Sequence, residues 1–208
     1  MIVNTQTLLE KFLSSTGVST DTRKIQAGNL FFALKGPNFN ANAMAAEAVE
    51  KGAQYAIIDD ADYLAGERTL LVEDGLLALQ ALATAYRQTL TIPIVGLTGS
   101  NGKTTTKELI FSVLSQKYHC FATTGNLNNH IGMPLTLLNL RASHHYAVLE
   151  MGMNHLGEIA YLSNLAKPTL AIINNAGTAH IGELGSRDNI AQAKGEIFLG
   201  LAADGIAL

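Results

Sequence analysis

Tryptophan is absent from this 208-residue chain and cysteine occurs once, at Cys120. A lone thiol excludes an internal disulfide framework and fits a reducing compartment. Charged residues make up only 15% of the chain and sum to −3, so no basic excess remains for a nucleic-acid footprint. Long apolar runs are missing too: no window reaches the roughly 18 residues a membrane span needs. The start, MIVNTQTLLEKFLSS, lacks the cationic opening and apolar core of a signal peptide. A cytoplasmic location is expected. Apolar residues, at 48%, suffice to bury a core in one or two domains.

The order of patterns predicts an α/β fold in two parts. Residues 1–88 read as a small N-terminal α/β domain. NLFFALKG, AQYAIIDD and RTLLVED are its strands, with helices at Ala41–Lys51 and Gly75–Tyr86. Residues 89–208 alternate strand and helix, as a parallel sheet with covering helices does. Strands are expected at Ile92–Leu97, Tyr118–Ala122, Tyr146–Glu150 and Leu170–Asn174. Helices are expected at Lys103–Tyr118, at Pro134, from Gly157 and from about Asn189. The last residues, DGIAL, read as the opening of one more strand, so this second domain is expected to be incomplete and the chain part of a longer protein.

The most informative stretch is TIPIVGLTGSNGKTTTKELIFSVL, Thr91–Leu114. An apolar strand, three glycines and a helix beginning at Lys-Thr form a phosphate cradle. Backbone amides and the helix dipole meet an anion, Lys103 adds a point charge, and the Thr104 hydroxyl suits Mg²⁺. Gly99, Ser100, Asn101, Gly102, Lys103, Thr104 and Thr105 are the expected nucleotide contacts. The loop is shorter than the general P-loop, with Leu97 where that pattern has its first glycine. On the helix, Ile110, Val113 and Leu114 are expected on one apolar face.

In a parallel sheet, ligands sit beyond the carboxyl ends of strands. Glu150 ends the strand HYAVLE, where P-loop enzymes carry an acid associated with Mg²⁺. His180 follows the next strand, and on chemistry alone an ordinary loop histidine is the plainer reading, because Mg²⁺ prefers oxygen. The segment ATTGNLNNHIGMPLTLL is dense in amides. Its Asn126, Asn128 and Asn129 could bond their own turn or address a sugar or a peptide carboxylate. Lys194, taken alone, reads as a solvated helix lysine.

Together the blocks DTRKIQAGNLFFALKG, GLTGSNGKTTTKE, TTGNLNNHIGMPLTLL, LEMGMNHLGEI, NNAGTAHIGELGS and AKGEIF resemble the Mur ligases, ATP-dependent amide ligases of peptidoglycan precursor synthesis. Within that family they look most like the member that adds D-alanyl-D-alanine to UDP-N-acetylmuramoyl-tripeptide. The resemblance spans nearly the whole chain. It implies ATP on Gly99–Thr105, catalytic roles for Lys103, Glu150, His180 and Lys194, and Mg²⁺ near Thr104, Glu150, His180 and a carbamoylated Lys194. It also implies that Thr22 and Arg23 hold the uridine diphosphate end of the precursor. Relatives often carry Asp and His where this chain has Asn40 and Asn42. The alternatives are another Mur-type amino-acid ligase, a small-molecule kinase, or a part that only binds nucleotide. The chain by itself is expected to bind ligands without completing ligation.

Overall fold

The computed structural model describes residues 2–179 and 181–208. They divide into two units, one ending at Tyr86 and the other beginning at Arg87. In the first, the Asn4 side chain accepts from Thr7 N and so caps α1 (Thr5–Leu13), which turns Leu8 and Phe12 inward. There follow β1 (Gly17–Ser19), β2 (Asn29–Phe32), the hairpin strands β3 (Lys35–Gly36) and β4 (Phe39–Asn40), α2 (Ala45–Glu50), β5 (Tyr55–Ile58), β6 (Thr69–Leu71) and α3 (Gly75–Gln88). The strands β1-β2-β5-β6 form a parallel sheet. Its core is the run of Leu30, Phe31 and Phe32 against Ile57 and Ile58, all fully buried. The helix expected at Ala41–Lys51 starts as a 3-10 turn, Ala41–Met44, because the Asn40 side chain accepts from Asn42 N and tightens the entry.

The second unit runs β7 (Ile94–Thr98), α4 (Lys103–Leu114), β8 (Cys120–Ala122), α5 (Gly132–Leu138), β9 (Tyr146–Glu150), α6 (Glu158–Ala166), β10 (Leu170–Ile173), α7 (Ile181–Leu184), α8 (Arg187–Gly195) and β11 (Ile206–Ala207). Its sheet is parallel in the order β11-β10-β7-β9-β8. The chain leaves β7 toward β8 and β9 on one side and returns to β10 on the other. The carboxyl end of β7 therefore lies at a topological switch point, where a crevice opens. Register fixes what meets there: Leu97 pairs with Glu150, and Thr98 with Ile173.

Helix α4 differs from its expected form. It ends at Leu114 rather than Tyr118, and Val113 is 71% exposed while Ile110 and Leu114 are half-buried. The inward stripe instead runs Lys107, Ile110, Leu114. Val113 sits roughly 100° round the axis from Leu114 and leaves that stripe.

Candidate active site

The phosphate loop begins where β7 ends. Gly102 adopts φ +76° as the N-cap of α4, a left-handed conformation that suits glycine. At Gly99 the reason for glycine is space, since a Cβ there would lie 2.9 Å from the Asn174 Cβ. The loop is braced by the segment after β10. Asn101 N donates to Asn175 Oδ1 at 3.1 Å, Asn175 Nδ2 donates back to Asn101 O, and Ser100 N donates to Asn175 O. Asn174 Nδ2 reaches Thr106 Oγ1 on α4 at 2.8 Å. Lys103 Nζ donates to Gly99 O at 2.7 Å, curling back over the loop.

Beside this loop stands Glu150 at the end of β9, only 3% exposed. Its Oε2 accepts from Thr104 Oγ1 at 3.0 Å and its Oε1 from Asn128 Nδ2 at 2.9 Å, while Glu150 N donates to Thr123 Oγ1. Thr104, Glu150 and Asn128, named from separate stretches of sequence, thus form one hydrogen-bonded group. A hydroxyl and a carboxylate side by side are hard oxygen donors of the kind Mg²⁺ takes. Among the described residues, no cluster of three His, Cys, Asp or Glu side chains forms a cation site.

A cavity of about 530 Å³ adjoins the group, lined by Lys103, Asn128, Gly152, Asn154, Glu158 and Tyr161 among others. Lys194, on α8, is 1% exposed rather than solvated. Burial, and secondarily the charge of Lys103, pushes its amine down to about 8. It gives up its proton more readily than a solvated lysine does.

Asn129 lines the same cavity, and its Oδ1 accepts from Ile131 N and Gly132 N and shapes the entry to α5, while Asn126 is exposed. In the first unit Thr22 is buried, while Arg23 extends an 84% exposed guanidinium onto Asp21 through Nε and Nη2. That pairing holds the Asp21 carboxyl well below the usual carboxylate range. Neither Asn40 nor Asn42 is left free, since both join the Asp59 network. His180 lies outside the described residues. Sequence reasoning missed Asn174 and Asn175, although they follow β10 as Glu150 ends β9, and that position was the available signal. It also missed Lys107 and Thr123.

The profile "Mur ligase middle domain" matches residues 97–208, and "Mur ligase family, catalytic domain" matches residues 14–87. The UDP-N-acetylmuramoyl-tripeptide–D-alanyl-D-alanine ligase of Bacillus subtilis is 47% identical over 192 residues, covering 91% of this chain and 42% of the relative. The solved MurF of Acinetobacter baumannii superimposes with a TM-score of 0.85 at 39% identity, over 96% of this chain and 47% of that one. The MurF ligase of Thermotoga maritima, solved in complex with ADP, gives 0.85 at 34% identity over 94% and 45%. This chain thus spans less than half the length of each of these three proteins. It belongs to the Mur ligase family.

Proposed function

We propose that this Mur ligase chain carries the ATP-handling and acceptor-binding part of an ADP-forming ligase, acting in the cytoplasm, that joins D-alanyl-D-alanine to UDP-N-acetylmuramoyl-tripeptide in peptidoglycan synthesis, and so serves cell-wall growth and division. The observation that carries the reading is the phosphate loop set beside the Thr104–Glu150–Asn128 group at the carboxyl ends of the inner strands β7 and β9. The names of the relatives support the choice of substrates.

The chemistry follows from the inertness of a carboxylate toward amines. The γ-phosphoryl group of ATP moves to the terminal carboxylate of the tripeptide, and ADP leaves. The amine of the dipeptide then attacks the acyl carbon, and phosphate departs with the former carboxylate oxygen. The amides of Gly99–Thr105 and the Lys103 ammonium hold the phosphates. Lys103 releases Gly99 O to do so and opposes the charge that grows during transfer. When bound between Thr104 and Glu150, Mg²⁺ would neutralise further phosphate charge. Lys194, with a readily deprotonated amine, is suited to take up CO₂ as a carbamate and become an anionic oxygen donor. His180 belongs to the proposed metal set as well. Thr22 and Arg23 hold the uridine diphosphate end, Arg23 by exchanging Asp21 for a phosphate. Asn126, Asn128 and Asn129 address the acceptor.

The whole reaction is proposed for a protein of the relatives' length. For this chain alone, binding without dipeptide addition is proposed, and calorimetry is the test. Mg–ATP and UDP-N-acetylmuramoyl-tripeptide should each bind. Lys103→Ala should weaken Mg–ATP at least ~10²-fold, the equivalent of ~3 kcal/mol for a charged contact, with the melting temperature unchanged. Equal affinity in the variant would remove Lys103 and the loop from the reading.

A further inference from the structure

Lys107 is the fifth residue of α4, where a solvated lysine is the ordinary expectation, yet it is 2% exposed. Its Nζ donates to Thr123 O at 2.7 Å and lies 2.8 Å from Oε1 of Glu108, a largely exposed carboxylate. Burying an ammonium is costly even when it is paired, and a helix that needed only packing would carry Leu or Met here. What the lysine gains is a hold on Thr123, itself buried. Thr123 N donates to Val148 O, and its Oγ1 accepts from Glu150 N at 3.0 Å. A buried chain of hydrogen bonds thus runs from α4 through Lys107 and Thr123 to the backbone of Glu150. A second connection closes the ring. Thr104, one turn before Lys107, donates to the Glu150 carboxylate, as does Asn128, five residues after Thr123.

The two connections differ in permanence. The Thr104–Glu150 bond joins the two groups that the proposed ligase turns toward Mg²⁺, so that bond is lost when the cation is held. The Lys107–Thr123–Glu150 path uses no group that faces ligand. We propose that Lys107 is a positioning residue that keeps Glu150 in fixed relation to the phosphate-binding helix once Thr104 has turned to the metal. It acts through Thr123, and its effect falls on the metal-dependent part of nucleotide binding. This rests on the reading of Thr104 and Glu150 as the metal group.

The test measures ADP affinity of the chain with and without Mn²⁺, used as a probe for Mg²⁺, together with the melting temperature. In the parent chain, Mn²⁺ should tighten ADP. In Lys107→Met, metal-free ADP should bind within about twofold of the parent, because Lys103 and the loop amides are intact. The gain from Mn²⁺ should fall at least ~10-fold, the usual cost of removing a group that supports a metal ligand. General loosening of the fold would weaken both affinities together and leave their ratio unchanged. Thr123→Val, which keeps the shape and removes only the acceptor for Glu150 N, should reproduce the loss and serves if Lys107→Met does not fold. An unchanged Mn²⁺ gain in the folded variants overturns the role of Lys107 while leaving the metal group standing. A parent chain that gains nothing from Mn²⁺ overturns the metal group and the proposal together.

Discussion

Among the described residues, the first unit buries Ser19, Thr22, Asn29, Asn42 and Thr69 as its polar interior, whereas the second buries Arg87, Lys107, Glu150 and Lys194 along with hydroxyl groups. Both units are parallel sheets with helices, so sheet formation does not account for the difference. Neutral amides and hydroxyls can be satisfied locally at small cost. Buried charges demand partners and are retained where position matters more than stability. Three of the four buried charges are cations, and they serve different ends. Arg87 holds backbone, Lys107 reaches Glu150 through Thr123, and Lys194 stands near Lys103.

The contrast is broken most directly at Arg87. Its guanidinium donates to Ala166 O at 2.8 Å and Leu90 O at 2.6 Å, with longer bonds to Ile92 O and Lys167 O. Arg87→Leu leaves these carbonyls unpaired and should cost about 4 kcal/mol, the scale of breaking a buried charged network. The matching cut in the first unit is Asn42→Ala, which removes bonds to Asp59 N and to the Asp59 carboxylate. It should cost about 2 kcal/mol. Thermal melting followed by circular dichroism compares them, and equal losses would mean that the buried charge of the second unit is nothing special.

pH sharpens the comparison, because one titratable group in each unit, Lys194 and Asp59, should respond at opposite ends of the scale. Lys194 is pushed down from 10.5 to about 8 by burial and by Lys103. Between those values the unfolded chain binds the proton and the folded one does not, so stability rises with pH across that window, by up to ~3 kcal/mol. Lys194→Met should flatten the rise. In the first unit, burial works to raise the Asp59 carboxyl. Bonds from Asn42, Gly75 N and Lys35 outweigh it and hold the group below its ordinary value. Its contribution is present above the unfolded pKa and is lost as pH falls through the lowered folded value. Asp59→Asn should blunt the acid loss alone. Melting temperatures of parent and both variants from acid to pH 10.5 read the two arms. A parent chain whose stability is flat from pH 8 upward would contradict the lowered proton affinity of the buried Lys194.

Much of this was legible in the sequence because local rules and global fold agree. β9 occupies the Tyr146–Glu150 span expected from its apolar run, and the glycine pattern fixed the loop between β7 and α4. Glu150 was legible as a strand end beside the loop. What escaped depends on packing direction. Lys107 looks like any helix lysine until the lean of α4 on the sheet turns it inward, and Val113 looks like core until the same lean turns it out. Asn175 escaped because its function is to mimic a backbone strand against Asn101, a pairing that exists only once β10 lies beside β7. The burial of Lys194 was not legible from its own surroundings in the chain, since it depends on tertiary packing.

The smallest expected effect tests whether every costly buried group in the second unit has a purpose. Tyr161, on α6 and lining the cavity, carries the one buried side-chain polar atom among the described residues with no hydrogen-bond partner, its hydroxyl oxygen. Burial also pushes its phenol up to about 12, so it stays neutral. A buried hydroxyl that has lost water and gained nothing carries a desolvation cost of about 1–3 kcal/mol, and Phe fills nearly the same volume. Tyr161→Phe should therefore stabilise the second unit by about 1 kcal/mol, roughly 2–4 °C in melting temperature for a chain of this size. Because the oxygen is shielded, affinity for ADP should not change. A variant that melts lower than the parent would mean the hydroxyl has a partner in solution. A variant that melts higher but loses acceptor binding would make this tyrosine a ligand contact. Unlike Arg87, Lys107 and Lys194, its polar atom would then have been kept solely for what enters the cavity.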